Sequence, residues 1–475
     1  MWSSVENMFR IPELKRRVLI TLGLLAVYRI GFSIPIPGVQ WVPFLNMHGF
    51  GLAQGSFERF IAQISAITGG DWLGGSIFSL GIMPYISASI IFSLLQKIIP
   101  SFEQMAKEGE AGQQRLNQYA RYSTVLLCLI QALFVYSKLT RDAAPSGIEA
   151  GKELLPYGSY GIGWFFTIFI ALTAGTIFVM WVGERITEYG IGNGISMIIM
   201  AGIIARMPRA AANIYYNYFA GSKPGNRPET GILISAGLIL GYVLIVMAVI
   251  IITQGTRKIT IQQAKHVRGT RVYGGQRSYL GLRVNQAGVM PVIFASPVMS
   301  LFSAVLVQGA GNALAGRTGA SLGWFGDVLK FIVRNFGGGG VFYVVVETAL
   351  IFFFAYFWTA LYFNPKETSK NIKEYGSFVP GIRPGNNTSD YLERIMNRVT
   401  LGGAAFLAAI SVLPMLLYMT LGLEYIVVGF LGGTGMLIVV GVALDIVQKI
   451  EAHLVMRHYD GFLGPGKRRI RGRRR

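Results

Sequence analysis

Long apolar runs separated by short polar ones dominate this chain. A helix needs about 20 mostly apolar residues to cross roughly 30 Å of hydrocarbon. Ten stretches meet or approach that length: 18–36, 74–96, 122–138, 162–183, 190–205, 231–253, 286–307, 341–363, 401–421 and 425–447. The pattern predicts an all-α polytopic membrane protein with ten transmembrane helices. The first stretch reads as a span, not a cleaved signal peptide. Ile34-Pro35-Ile36-Pro37-Gly38 follows it, where a small-residue cleavage site would stand.

Composition agrees. Of the 475 residues, 52% are hydrophobic and only 14% are charged, against about 25% charged in soluble domains. An ordinary soluble enzyme is excluded. A single cysteine, Cys128, rules out an intrachain disulfide, and four scattered histidines argue against a histidine-built metal centre. No metal or cofactor is expected. The net charge is +20, and its distribution sets the orientation. With the N-terminus inside, 31 of the 43 Lys and Arg fall in inside segments and 11 in outside segments, which predicts that both termini are cytoplasmic.

Two spans carry one motif. Gly81-Ile82-Met83-Pro84-Tyr85-Ile86-Ser87-Ala88-Ser89 matches Gly288-Val289-Met290-Pro291-Val292-Ile293-Phe294-Ala295-Ser296 at six of nine positions. These are the second members of two five-span sets. Five is odd, so the second set must enter the membrane from the opposite side. The expected organisation is two inverted five-helix halves, 1–207 and 231–447, joined by an external hinge at 208–230. In such folds, paired Gly/Pro-interrupted spans mark a central pathway. Pro84 and Pro291 are expected to kink their helices.

The pathway lacks the buried charges that solute and ion transporters carry. Ile82/Ile86 and Ile195/Ile199 are i,i+4 pairs, each on one helix face. They either face lipid and neighbouring helices or form a hydrophobic constriction that excludes water and ions. Residues 60–68, with Phe60, Ile61, Ile64, Ser65, Ile67 and Thr68, are too short to cross as a helix of about 13 Å, and Gly69-Gly70 follow. They read as an interfacial helix or a re-entrant segment. Glu347 is the clearest acid inside a span, and Asp445 lies near a span end; an interfacial or paired role is simpler for both than a proton relay.

The basic loops are distinctive. Residues 254–284 hold seven Lys and Arg, among them Lys265, Arg268, Arg271 and Arg277, with no acid. Arg257–Ile261 alternates as a strand does, and Arg271–Tyr273 with Ser278–Leu280 predicts a hairpin about the turn Gly274-Gly275. Residues 364–398 include Val379-Pro380-Gly381-Ile382-Arg383-Pro384-Gly385. They end in an amphipathic helix with Asp390 and Glu393 at its start and Leu392, Ile395, Met396 and Val399 on one face. The basic tail, 448–475, ends in Gly464–Arg475, which reads as disordered and suits anionic lipid or RNA phosphate. No Walker loop, dinucleotide fingerprint or catalytic constellation occurs. On these residues alone, an inverted-repeat transporter of small solutes stands as the alternative to a channel.

The runs Gly81–Ser89, Gly190–Ser196, Ala287–Pro291 and Val379–Gly385, in that order and spacing, resemble the SecY family of channel-forming subunits of the bacterial protein-conducting translocon. The resemblance implies a passive pore for unfolded secretory polypeptides, with no enzymatic activity, in the bacterial plasma (inner) membrane. It implies a pore ring of Ile82, Ile86, Ile195, Ile199, Ile293 and Ile438, and a plug at 57–73. It also implies a lateral gate toward lipid, with Pro84, Ser87, Asn285 and Pro291. The basic loops, Arg383 foremost, would dock the SecA motor ATPase or the ribosome. SecE and SecG would be companion subunits, and signal sequences and nascent chains the cargo.

Overall fold

The computed structural model describes residues 12–37, 75–141, 162–205, 207–208, 211, 228–263, 266–268, 271–273, 277–314, 323–336, 340–421 and 434–462. The expected plug (57–73), Lys265, most of the 208–230 hinge and the tail beyond Phe462 lie outside these residues.

The chain is mostly helical. In order come α1 (Pro12–Gly31), α2 (Met83–Ile98), α3 (Pro100–Lys107), α4 (Glu110–Arg141), α5 (Ile162–Tyr189), α6 (Gly194–Ile204) and α7 (Pro228–Gln254). Strands β1 (Thr256–Gln263), β2 (His266–Arg268), β3 (Arg271–Tyr273) and β4 (Arg277–Arg283) follow. Then come α8 (Met290–Leu314), α9 (Gly323–Phe336), α10 (Val341–Tyr362), α11 (Pro365–Glu374), β5 (Ser377–Phe378), α12 (Asn386–Leu421) and α13 (Thr434–Phe462).

Among the described residues, four stretches are long and apolar enough to cross a membrane: Ile162–Tyr189, Ser235–Gln254, Val341–Glu374 and Asn386–Leu413. Helices α2 and α3 make a fifth if the 96° bend between them is counted within one span. The bend follows from Pro100: the residue before a proline is pushed out of the helical region, and Ile99 is extended at φ −100°, ψ 118°.

Two large apolar clusters hold the helices. One gathers Tyr28, Phe32, Phe78, Ile82, Val179, Ile186 and Ile198, from α1, α5, α6 and the segment leading into α2. The other gathers Val249, Val292, Ile351, Leu407, Leu437 and Leu444, from α7, α8, α10, α12 and α13. Helix α13 touches both, because its Val442 and Ile446 also pack on the first.

The matched prolines differ from expectation. Neither kinks a helix. Pro84 and Pro291 are each the second residue of their helix, α2 and α8. Proline is tolerated there because the missing N–H has no intrahelical acceptor anyway.

The basic hairpin also differs. Strand β3 pairs with β2, His266 opposite Tyr273, and not with Ser278–Leu280. Strand β4 pairs instead with β1, Thr256 opposite Arg283 through Gln262 opposite Arg277. The long alternating strands bury an apolar face by pairing with each other, which a local Gly-Gly turn cannot offer. Helix α12 begins at Asn386, not at Asp390. Gly385 O accepts from Thr388 N–H (3.0 Å) and Ser389 N–H (3.1 Å), so the chain is already helical ahead of the two acids. Lastly, the segment from 448 continues α13 as helix to Phe462.

Candidate pore and docking surface

The two Gly-x-Met-Pro motifs build one device. Gly81 has φ +57° and Gly288 φ +63°, a left-handed backbone that other residues adopt only at a cost. Each glycine turns the chain, and two residues later Met-Pro opens a helix. In the first copy, Gly81 N–H donates to Phe78 O (2.8 Å) and Ile86 N–H to Ile82 O (3.0 Å). In the second, Ile293 N–H donates to Val289 O (3.2 Å). Helix α2 has 16 residues, about 24 Å at 1.5 Å per residue. That is short of the roughly 30 Å hydrocarbon thickness, and the chain ahead of it, 75–82, is turns. Non-helical backbone inside a bilayer is tolerated only where protein or a cavity surrounds it. Ser76, Ser79, Leu80 and Ile82 are buried. Ile36 N–H donating to Gly75 O (2.9 Å) and Ile77 N–H to Ile34 O (3.0 Å) tie the turns to the Ile34–Pro37 run.

The Gly190–Ser196 motif is a helix–turn–helix corner. Gly192 reverses the chain at φ +85°. Asn193 Oδ1 then accepts from Ile195 N–H (3.0 Å) and Ser196 N–H (3.3 Å), capping α6. Thr187 Oγ1 accepts from Gly194 N–H (2.8 Å). Thr21 of α1 accepts from Ile191 N–H (3.2 Å), fixing the corner from the side.

The corner brings expected ring residues together. A Cβ on Gly183 would stand 3.2 Å from Ile198, 3.5 Å from Ile195 and 3.6 Å from Ile82. Ile82 is wholly buried, and Ile86, Ile195 and Ile199 pack half-buried on the same cluster. Ile438 is buried on α13, and Ile293 is half-buried on α8. Pro84 and Pro291 are buried, while Ser87 and Asn285 are half-buried. Asn285 and Val284 lie against Gly403 of α12.

Glu347 is inside α10 and 4% exposed. Ser411 Oγ of α12 donates to its Oε1 at 3.0 Å, so the acid bridges two helices. Asp445 pairs with Lys449 at 2.9 Å on one exposed helix face.

The basic loops form one surface. Strands β1 and β4 bury Ile259 and Leu282 against Val379, Leu392 and Met396, and Ile261 is buried on the same side. Alternation puts Lys258, Arg277 and Tyr279 on the other side, and all three are exposed. Arg268 and Arg271 close the short β2–β3 ladder. Strand β5 pairs with the edge of β1, Gln262 opposite Phe378, so loops more than a hundred residues apart share one sheet. That link had no sequence signal. Arg383 projects from a fixed turn. Ile382 N–H donates to Val379 O (3.1 Å), and Thr388 Oγ1 donates to Arg383 O (3.0 Å). Ser369 Oγ of α11 donates to Gly385 O (2.7 Å). The Arg383 side chain is exposed.

A groove of about 400 Å³ lies between α3 and the α10–α11 junction, with Glu103 on one wall and Asn364 and Glu367 on the other. Lys107 sits 2.7 Å from Glu103, which holds the Lys107 ammonium above the usual lysine pKa.

The chain is 41% identical to protein translocase subunit SecY of Thermotoga maritima, over all of both chains. It is 37% identical to that of Mycobacterium bovis, over 98% of this chain and 100% of the other. By fold it is similar to a solved protein-conducting channel (17% identical, TM-score 0.56, 93% of each chain). It is also similar to the Sec61 of a canine ribosome–channel complex (17% identical, TM-score 0.53, 93% of each chain). The SecY family profile matches residues 76–447, which include both Gly-x-Met-Pro turns, the Asn193 corner and the Arg383 turn; the chain belongs to the SecY family.

Proposed function

We propose that this multi-pass membrane protein is a protein-conducting channel, a passive pore for unfolded polypeptides and not an enzyme. The observation that carries the reading is the full-length match to protein translocase subunits. The solute-transporter alternative finds no support in those relatives.

Within that reading, ten helices form two inverted five-helix halves, 1–207 and 231–447, about a central pathway. The matched turns at Gly81 and Gly288 support this, because the same device recurs once in each half. Both termini are cytoplasmic and the membrane is the bacterial plasma membrane, in keeping with the basic loop bias and with bacterial relatives. Ile82, Ile86, Ile195, Ile199, Ile293 and Ile438 form an apolar ring that dewets when empty and flexes around any sequence. The packing of Ile82, Ile86, Ile195 and Ile199 on one apolar cluster supports the first part of that ring. Residues 57–73 seal it as a plug. A signal sequence parts α2 from α8, near Pro84, Ser87, Asn285 and Pro291, and reaches lipid. Burying its apolar area, at about 25 cal/mol per Å², drives that step.

The β1–β4–β5 sheet and Arg383 dock the motor ATPase SecA or a ribosome, with SecE and SecG as companion subunits. Lys258, Arg277 and Tyr279 on one exposed face support a phosphate-rich partner there. The test of the ring is Ile86→Gly combined with Ile199→Gly. Resting ion conductance of reconstituted vesicles should rise, and unchanged conductance would count against the seal.

A further inference from the structure

Helix α9 (Gly323–Phe336) joins the far ends of α8 and α10, remote from the basic sheet. At 14 residues it is about 21 Å long, too short to span. Over Trp324–Phe331 the described side chains fall into three sectors. Gly326 and Leu329 are buried on one side. Trp324, Val328 and Phe331 are exposed, at 79%, 42% and 48%, and lie within about 60° of one another around the helix. Asp327 and Lys330 are also exposed, about 60° and 120° from Trp324 on the flank opposite Val328, so that Asp327 lies about 40° beyond Phe331. A helix on a soluble surface has two sectors, one buried and one polar. This one adds an exposed apolar stripe ending in a tryptophan.

The stripe is continuous with the apolar flanks of the neighbouring spans. The Phe331 and Phe342 rings meet edge to face at 5.3 Å, and Phe302 meets Phe336 at 6.2 Å. Ser303 Oγ donates to Phe336 O, holding the end of α9 against α8. Phe302 and Val305 of α8, and Val341, Phe342 and Val345 of α10, are exposed apolar residues beside it.

We propose that α9 lies in the plane of the bilayer surface as an interfacial anchor. Trp324, Val328 and Phe331 enter the boundary between headgroups and acyl chains. Asp327 and Lys330 face water. Amphipathic helices with tryptophan on the apolar side settle at this depth. The partner is the lipid surface itself, and the proposal rests on the chain crossing the membrane, not on what passes through it.

The test uses the full chain with Cys128→Ala, reconstituted into vesicles of phosphatidylethanolamine and phosphatidylglycerol. Nitroxides are attached singly after Trp324→Cys, Val328→Cys, Phe331→Cys, Asp327→Cys or Lys330→Cys. Collision with oxygen, which concentrates in lipid, is compared with collision with a water-soluble nickel chelate. Labels at 324, 328 and 331 should favour oxygen several-fold more than those at 327 and 330. Equal nickel access at all five would put α9 in water and overturn the proposal. Shielding of all five from both probes would place protein over it and overturn it equally. Three apolar positions keep the pattern readable if one variant fails to fold.

Discussion

Gly81 and Gly288 hold the same left-handed backbone, at φ +57° and +63°, each two residues ahead of a Met-Pro that opens a helix. An L-residue there costs roughly 1–2 kcal/mol. A Cβ on Gly288 would meet no atom within 4 Å, so the cost at that site is backbone alone. Gly288→Ala should lower stability by about 1 kcal/mol. Gly288→Asn should lose less, because asparagine tolerates this region better. Thermal unfolding of the purified chain in detergent reads both, and equal melting of the Gly and Ala forms would contradict the assignment.

The Asn193 cap makes a second prediction. Its Oδ1 accepts from two N–H groups that otherwise have no partner within the helix. Asn193→Ala should cost about 1 kcal/mol and Asn193→Ser a few tenths at most. If Ile82 and Ile195 belong to the proposed ring, the alanine variant should also raise resting ion leak in vesicles, because Ile195 follows this cap and both side chains pack on one cluster. A destabilised variant with an unaltered leak would separate the cap from the ring.

How far the sequence reached can be followed at particular residues. The matched motifs were legible because Gly, Met and Pro recur as identities. Their role was not, because residues 74–96 carry no charge and read as one mostly apolar run, and hydropathy cannot show that helix begins only at Met83. The apolar face of α12 was visible in the spacing of Leu392 and Met396. Its start was misplaced because the acids at 390 and 393 mimic a cap that backbone bonds at Gly385 had already supplied. The Gly274-Gly275 pair drew the hairpin to the wrong strands, since strand pairing is decided by which apolar faces meet. Strand β5 has two residues and pairs with a strand over a hundred positions away, so nothing local announces it.

Glu347 makes a third prediction. A carboxyl inside a membrane helix is tolerated when it is bonded within the protein. Ser411→Ala removes one donor to it and should cost about 1 kcal/mol or less, as interhelical hydrogen bonds in membranes do. Glu347→Gln keeps an acceptor for Ser411 and should melt near the parent. Glu347→Ala leaves Ser411 unsatisfied in a packed interface and should be the least stable of the three. Detergent melting curves order them. Glu347→Ala matching Glu347→Gln would show that the α10–α12 contact does not depend on the carboxyl oxygen.

Arg383 makes the last. Gly381 and Gly385 shape its turn with positive φ, Val379 anchors it in the apolar cluster under the sheet, and Thr388 and Ser369 bond its backbone. The exposed guanidinium takes no part in that scaffold, so reversing its charge alters the surface and spares the fold. Arg383→Glu should therefore leave expression and melting temperature at parental values. If the surface docks a motor or a ribosome, partner-driven translocation into vesicles should fall about tenfold or more, as loss of an interface arginine worth about 2 kcal/mol would give. Arg383→Lys should recover part of the rate, since it keeps the charge but not the planar two-pronged donor. The lysine variant separates the two contributions. Full recovery means the partner reads charge alone, and none means it needs the guanidinium fork. Normal transport by Arg383→Glu would remove this turn from the docking surface.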